Sequence, residues 1–128
     1  MGSRHRDDGT VVVEFALLLP VLFLVLLAAV QVGVLVRDQL VLTQAARAGA
    51  REAAVTLDEG VVRAAVERAA SGLDGASLGM SVTREGSQGA PVTVGVSYSV
   101  DVVGPLAGWL LPATVLLEAS ATMRQEVP

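Results

Sequence analysis

The sequence predicts an α+β protein, in which a long N-terminal membrane-spanning helix continues into a small domain with a second helix and a three-stranded antiparallel sheet. An uncharged apolar run covers Phe15 to Val36. An alanine-rich stretch without proline follows it, from Arg37 to Leu57. Apolar and polar residues then alternate strictly from Val92 to Val102. The first two patterns are typical of helix, and the third is typical of a half-buried strand.

The apolar run is long enough to cross a bilayer. A helix rises about 1.5 Å per residue, so this run spans the roughly 30 Å hydrocarbon layer. We therefore predict a transmembrane helix at residues 10–36, after a polar segment at 1–9. The segment 10–36 contains one charge, Glu14, near its start. A carboxylate costs up to about 2.5 to 3.5 kcal/mol at the bilayer centre and less toward the ends, so we expect Glu14 to have a function.

The junction before this segment indicates a leader of the prepilin type, which is cleaved ahead of the apolar stretch. A secretory signal has a shorter apolar core of roughly 7 to 15 residues. Gly9 is then the last leader residue and Thr10 the new N-terminus, whose amine can pair with Glu14 of a neighbouring subunit. The alternative is that Gly9 is an ordinary loop glycine and that Glu14 reaches the membrane interface.

The helix is expected to continue to Leu57, since alanine is the best helix former. Ala45, Gly49 and Ala53 recur every four residues on one face. Small residues at this spacing let another element approach closely. That element is either the domain's own sheet or second helix, or a neighbouring subunit.

A second helix is predicted after Asp58, which is a suitable N-cap, and Gly72 is placed to end it in a left-handed turn. Its apolar face contains Val62, Ala65, Val66 and Ala69. Residues 71–77 form a connector.

Three strands are predicted in the remaining sequence. The alternating stretch Val92–Val102 is the longest, and Leu78–Arg84 supplies a partner across the loop Glu85–Pro91. Alternation of Leu117, Ala119, Ala121 and Met123 with polar residues predicts the third strand.

The apolar loop 104–113 carries the only tryptophan, Trp109. Exposed apolar loops are unusual, and tryptophan favours the membrane interface, so Trp109 is a candidate interface residue. The alternative is that Trp109 closes one end of the core.

The composition gives no sign of catalysis or of a cofactor. The chain has no cysteine, and its one histidine, His5, lies in the leader, so neither a metal site nor a Ser-His-acid set is predicted in the mature chain. With a net charge of −4 and scattered arginines, no nucleic-acid surface is expected. We expect no enzyme activity, no cofactor and no small-molecule substrate.

Three segments resemble a known family. The stretch Gly9-Thr-Val-Val-Val-Glu-Phe-Ala-Leu-Leu-Leu-Pro20 and the run Ala45-Ala-Arg-Ala-Gly-Ala-Arg51 are similar to the TadE-like pseudopilins of the tight-adherence (Tad, or Flp) pilus system. The end of the chain, Ala119–Glu126, is similar to that family's closing strand. The resemblance implies cleavage by a prepilin peptidase and a role in assembling adhesive pili. Gly9, Thr10 and Glu14 match the family's processing and assembly positions.

The resemblance also implies location and partners. The N-terminus is expected in the cytoplasm, the helix in the inner membrane and residues 37–128 in an extracytoplasmic α+β domain, with association with surface pili as a further possibility. Arginine counts on the two sides of the span mildly favour the opposite orientation. The expected partners are the lipid bilayer, the peptidase, other pilins or pseudopilins and the pilus assembly machinery. The alternative function is an unprocessed single-pass anchor whose outer domain binds an envelope partner.

Overall fold

The computed structural model describes residues 4–102, 104, 108 and 112–128, and it confirms the α+β class. The elements are α1 (Arg4–Val55), α2 (Glu59–Ala69), one turn of 3-10 helix (Gly75–Ser77), β1 (Leu78–Arg84), β2 (Pro91–Asp101) and β3 (Thr114–Arg124). The three strands form one antiparallel sheet in the order β1-β2-β3.

The chain divides into two compact units, one ending at Val34 and the other covering Leu35–Pro128. Helix α1 supplies the described part of the first unit. Over Gly9–Val55 it is long and apolar enough to cross a membrane, as judged by length and composition, and its most apolar stretch is not buried by the rest of the protein. The boundaries that we assign to the leader, the span and the outer domain stay predictions.

Helix α1 differs at both ends from the predicted range Thr10–Leu57. It begins at Arg4 and passes through Gly9 without a break, because extending an existing helix costs far less than starting one. It ends at Val55, before Leu57. There the hydroxyl of Thr56 accepts a hydrogen bond from the Asp58 amide at 3.2 Å, and the chain turns into α2.

The start of α2 confirms the predicted cap, and its end corrects a prediction. Asp58 accepts a hydrogen bond from the Gly60 amide through Oδ1 at 2.8 Å. The helix ends at Ala69, and Ala70 follows at φ −94°. The left-handed turn expected at Gly72 is wrong, since positive φ is found at Gly89, Gly104 and Gly108 and not there.

The strands lie close to their predicted positions. β1 has the predicted bounds, β2 begins and ends one residue earlier than predicted, and β3 extends back to Thr114. In the register, Met80 lies opposite Val96, which lies opposite Ala119. Alternate residues of β2 are buried, as the alternation predicted.

The core lies between residues 35–55 of α1, helix α2 and the inner face of the sheet. Its members are small or branched apolar residues, which let the helices approach the sheet closely: Leu42, Ala45, Ala46, Ala50, Ala53, Ala54, Val62, Val66, Ala70, Val92, Val94 and Val96. The inner side chains of β1 and β3 are half-buried, because the helices cover the central strand most fully.

Candidate processing and assembly site

Gly9 and Thr10 lie inside α1 and are exposed to solvent. The Gly9 backbone has ordinary right-handed geometry, and a Cβ atom added there would meet no other atom within 4 Å. The fold of the uncleaved chain therefore does not itself require glycine at this position. Any requirement for glycine must come from a partner that approaches the backbone.

Glu14 lies on the same helix, one turn after Thr10, and it is exposed among apolar side chains. Neighbours such as Val13 and Phe15 are more than 60% exposed. Among residues 9–102, 104, 108 and 112–128, whose side chains the structure describes, the ion pair is that of Arg37 with Asp38, at 3.7 Å. Within these residues Glu14 has no cationic partner.

The face formed by Ala45, Gly49 and Ala53 lies inside the domain. Ala45 and Ala53 are fully buried. A Cβ atom added to Gly49 would lie 2.6 Å from Val66 Cγ2 on α2 and 3.0 Å from Val94 Cγ1 on β2. These distances are shorter than van der Waals contact, so α1 approaches both neighbours closely at Gly49. Of the two alternatives for this face, the structure contains the contact within the chain.

A polar cluster at the end of α1 was missed by the sequence analysis. The Arg84 guanidinium, at the end of β1, donates to the carbonyl oxygens of Ala53 at 2.8 Å and Thr56 at 2.9 Å. It also donates to Gln125 Oε1 at 3.2 Å. These bonds satisfy carbonyls that the helix end leaves without partners, and they place a cation at its negative pole. The sequence contains one sign of this cluster, because the alternation in β1 places Arg84 on the inner side of the strand with Met80 and Val82.

The backbone after β3 reaches the same helix end. The amide of Glu126 donates to the carbonyl of Ala54 at 2.7 Å. Near the other end of the domain, Gln39 Nε2 donates to the carbonyl of Glu118 on β3 at 2.9 Å. The two contacts fix β3 alongside α1, with both running in the same direction.

Two further expectations concern the loop and metal binding. The candidate interface residue Trp109 lies outside the described residues. Within the described residues, no three His, Asp or Glu side chains come together in a way that could hold a metal ion.

These features define the class of protein: an apolar helix able to span a membrane, joined to a small α+β domain that packs against the helix's own continuation. Residues 9–51 match the family model described as TadE-like protein. The match confirms the resemblance at Gly9–Pro20 and Ala45–Arg51, and it supports a role related to the Tad pilus. It does not extend to Ala119–Glu126, whose similarity to the family stays a prediction. No curated protein and no solved structure matches the chain.

Proposed function

We propose that the protein is a pseudopilin of the TadE-like kind, a non-enzymatic membrane protein that a prepilin peptidase cleaves between Gly9 and Thr10. After cleavage it serves the assembly of adhesive Tad/Flp pili from the cytoplasmic membrane. The observation that carries the proposal is the family match, which begins at Gly9, the residue before the proposed cleavage, and extends through the span to Arg51.

Gly9 itself is suited to cleavage, although the junction is helical. A peptidase needs access to the backbone of its substrate, and here the Gly9–Thr10 bond lies within a continuous helix. Glycine lowers helix stability by about 1 kcal/mol relative to alanine, so α1 opens more easily there. Glycine also has no side chain to obstruct the enzyme. Cleavage leaves the whole span on the mature protein.

The surroundings of Glu14 support its role in assembly. Its carboxylate lies in an apolar stretch without a cationic partner in the described part of the chain. Cleavage creates an amine at Thr10, about 6 Å along the helix from Glu14. Pairing that amine with Glu14 of a neighbouring subunit neutralises two charges that the membrane disfavours. It also sets the register between adjacent helices.

In this proposal the mature N-terminus faces the cytoplasm and the α+β domain lies outside the inner membrane. Its partners are the bilayer, the prepilin peptidase, other pilins or pseudopilins and the assembly machinery. Neither a cofactor nor a substrate is part of it.

The test of cleavage is the intact mass of protein extracted from membranes of a cell that has the peptidase. We expect loss of Met1–Gly9 in the native chain and full retention in Gly9→Leu. Gly33→Leu is the matched control, because Gly33 lies on the same helix and a Cβ atom added there also meets nothing within 4 Å. Cleavage that persists in Gly9→Leu, or a native chain that keeps its first nine residues, would contradict the proposal.

The test of assembly is Glu14→Gln. We expect normal cleavage and membrane insertion but few pili, counted by electron microscopy, because the neutral amide cannot balance the amine. Glu14→Asp keeps the charge and should retain part of the assembly. Normal piliation by Glu14→Gln would remove this role.

An unprocessed membrane anchor is the second candidate, favoured by the unbroken course of α1 through Gly9. Its domain would bind an envelope partner. The mass measurement separates the two functions, because the anchor keeps residues 1–9 in every variant.

A further inference from the structure

The two edges of the sheet are suited to each other. β1 and β3 are its edge strands, and they run in the same direction because each is antiparallel to β2. The inner side chains of both strands are half-buried. Edge strands present unpaired backbone groups, which natural proteins cover, charge or pair.

The hydrogen bonds show which backbone groups of β3 face away from the sheet. The amide of Val102 donates to Ala113, and that of Gln125 donates to Ala90. Combined with the register of β2 and β3, these bonds show that the odd-numbered residues of β3 direct their backbone N–H and C=O groups toward β2. The backbone groups of the even-numbered residues therefore point away from the sheet. Glu118 confirms this, because its carbonyl accepts from Gln39 outside the sheet. That oxygen retains a second lone pair.

The backbone groups of β1 alternate in the same way. The amide of Glu85 donates to the carbonyl of Pro91, so the odd-numbered residues of β1 direct their backbone groups toward β2. The backbone groups of Met80 and Val82 therefore point away from the sheet. In the described part of the chain, neither these groups nor those of Ser120 and Thr122 on β3 have a hydrogen-bond partner outside the sheet.

The membrane limits how two copies can pair. The chain enters the domain at Leu35, and α1 and β3 then run in the same direction, as the contacts of Gln39 with Glu118 and of Ala54 with Glu126 show. Antiparallel pairing of two β3 strands would place the entry points of two copies at opposite ends. Copies inserted in one membrane enter from the same side. Parallel pairing of β3 with β1 of a second copy keeps both entry points on one side.

The rows of residues across the sheet suggest a register for this pairing. Within the sheet, Gly79, Ser97 and Glu118 lie in one row across the strands. The row of Glu85, Pro91 and Arg124 lies further along. We take the register in which β3 of one copy lies beside β1 of its neighbour in these same rows.

This register meets two independent requirements. In parallel pairing, a residue whose backbone groups point toward the neighbouring strand lies opposite a residue whose backbone groups point away from the first strand. Ser120 beside Ser81 of the second copy satisfies that rule. Arg124 comes beside Glu85 of the second copy, which supplies opposite charges on one face of the extended sheet. In the described part of a single copy, neither Arg124 nor Glu85 makes an ion pair.

We propose that the β3 edge of one copy pairs in parallel with the β1 edge of a second copy, side by side in the membrane. The pairing extends the sheet across subunits and covers the half-buried inner side chains of both strands. Because the contact joins two different edges, it leaves a free edge at each end and supports an open row of subunits. The proposal rests on membrane anchoring with one orientation, and it does not require cleavage at Gly9 or pilus formation.

Disulfide cross-linking in native membranes tests this pairing. The chain has no cysteine, so introduced thiols have no competitors. Neighbouring strands lie about 4.8 Å apart, which is within the Cα separation that a disulfide spans. Ser81 and Ser120 of one copy both flank Gly95, about 10 Å apart across two strand spacings, so they cannot join within a chain.

We expect Ser81→Cys and Ser120→Cys, expressed together as separate chains and oxidised, to give a cross-linked dimer. One chain carrying both changes should give a ladder of dimers, trimers and larger species. Either single variant alone should stay monomeric. A dimer of Ser120→Cys alone would show antiparallel β3 pairing, and a cross-link to a different protein would show another partner. Either result, or no cross-link at all, would overturn the proposal.

Charge reversal gives a second readout on the same cross-link. Arg124→Glu and Glu85→Arg, each introduced into the doubly cysteine-substituted chain, should lower the yield of cross-linked species about threefold, because like charges then meet at every junction. Combining both reversals in one chain restores opposite charges and should restore the ladder. A combined variant that cross-links no better than the single reversals would contradict the register.

Discussion

Helix α1 has two parts that differ in what surrounds them. In residues 9–34 the large apolar side chains are mostly exposed; Leu22, for example, is 62% exposed. In residues 35–55 one face is fully buried by α2 and the sheet, with Leu42 and Ala45 at 0% exposure. Within the described residues, the most apolar stretch of this first part is not buried. The second part packs against its own domain, which explains why small residues replace large ones there.

The exposed fraction of a side chain does not by itself show whether water or lipid surrounds it. Leu40, beyond the predicted span, is 60% exposed, almost the same as Leu22. Leu40 lies one turn after the exposed Val36 and one turn before the exposed Gln44, so it stands at the end of the apolar surface, and scattered exposed apolar residues are common in soluble proteins. Leu22 belongs to a continuous exposed apolar surface, which indicates contact with lipid.

The largest expected effect tests that difference directly. Leu22→Arg combined with Val25→Arg should cost about 5 to 7 kcal/mol of insertion free energy, taking about 2.5 to 3.5 kcal/mol for each arginine near the bilayer centre. The variant should leave the membrane fraction after alkaline carbonate extraction, or be degraded.

The matched control is Leu40→Arg combined with Val55→Arg, two residues that are 60% and 50% exposed in the other part of α1. It should remain in the membrane at the native level. Equal extraction of the two variants would show that both parts of the helix have the same surroundings.

The second prediction concerns the end of α1, where Arg84 of β1 forms hydrogen bonds with the helix end. Arg84→Gln should destabilise the domain by about 2 kcal/mol, because hydrogen bonds to charged groups contribute roughly 1.5 to 3 kcal/mol and the carbonyls of Ala53 and Thr56 lose their partner. Urea unfolding of the full-length protein in detergent, followed by circular dichroism, measures the change.

Arg47→Gln serves as the control, since Arg47 is an exposed arginine on the same helix. It should change the free energy of unfolding by less than about 0.5 kcal/mol. A similar loss in both variants would mean that Arg84 contributes through its general charge and not through the helix end.

How much the sequence predicts depends on how local the cause is. The strands and the cap at Asp58 were predicted, because alternation and capping involve residues near one another in the chain. The Arg84 cluster was not, because it needs the register between a helix end, β1 and the segment after β3. The error at Gly72 has a local cause: the amide of Ala70 still bonds to the carbonyl of Val66, and α2 ends without a left-handed residue.

The candidate site also contains residues that could be predicted from local sequence and features that could not. Gly9, Thr10 and Glu14 were found from their spacing to the apolar run, and the structure places all three on one exposed stretch of helix. In the proposed function, the peptidase and the neighbouring subunit that act on them lie outside the chain. The outward edges of β1 and β3 could not be assigned without the hydrogen bonds that show which backbone groups remain unpaired.

The smallest expected effect concerns Gly49, where α1 meets both α2 and β2. In Gly49→Ala the added methyl group would come too close to Val66 and Val94, and overpacking of this kind costs about 1 to 3 kcal/mol. Alanine also stabilises a helix by about 1 kcal/mol relative to glycine, which offsets part of the cost. We expect a net loss of about 1 kcal/mol in the same urea experiment.

Gly33→Ala is the control, because it is the same substitution on the same helix with nothing within 4 Å of the new methyl group. It gains helix propensity without a clash, so the domain should keep its native stability. If Gly49→Ala left the unfolding free energy unchanged but weakened cross-linking between copies, the small-residue face would act between subunits. A loss of domain stability with unchanged cross-linking assigns the face to the packing of a single chain and leaves subunit association to the sheet edges.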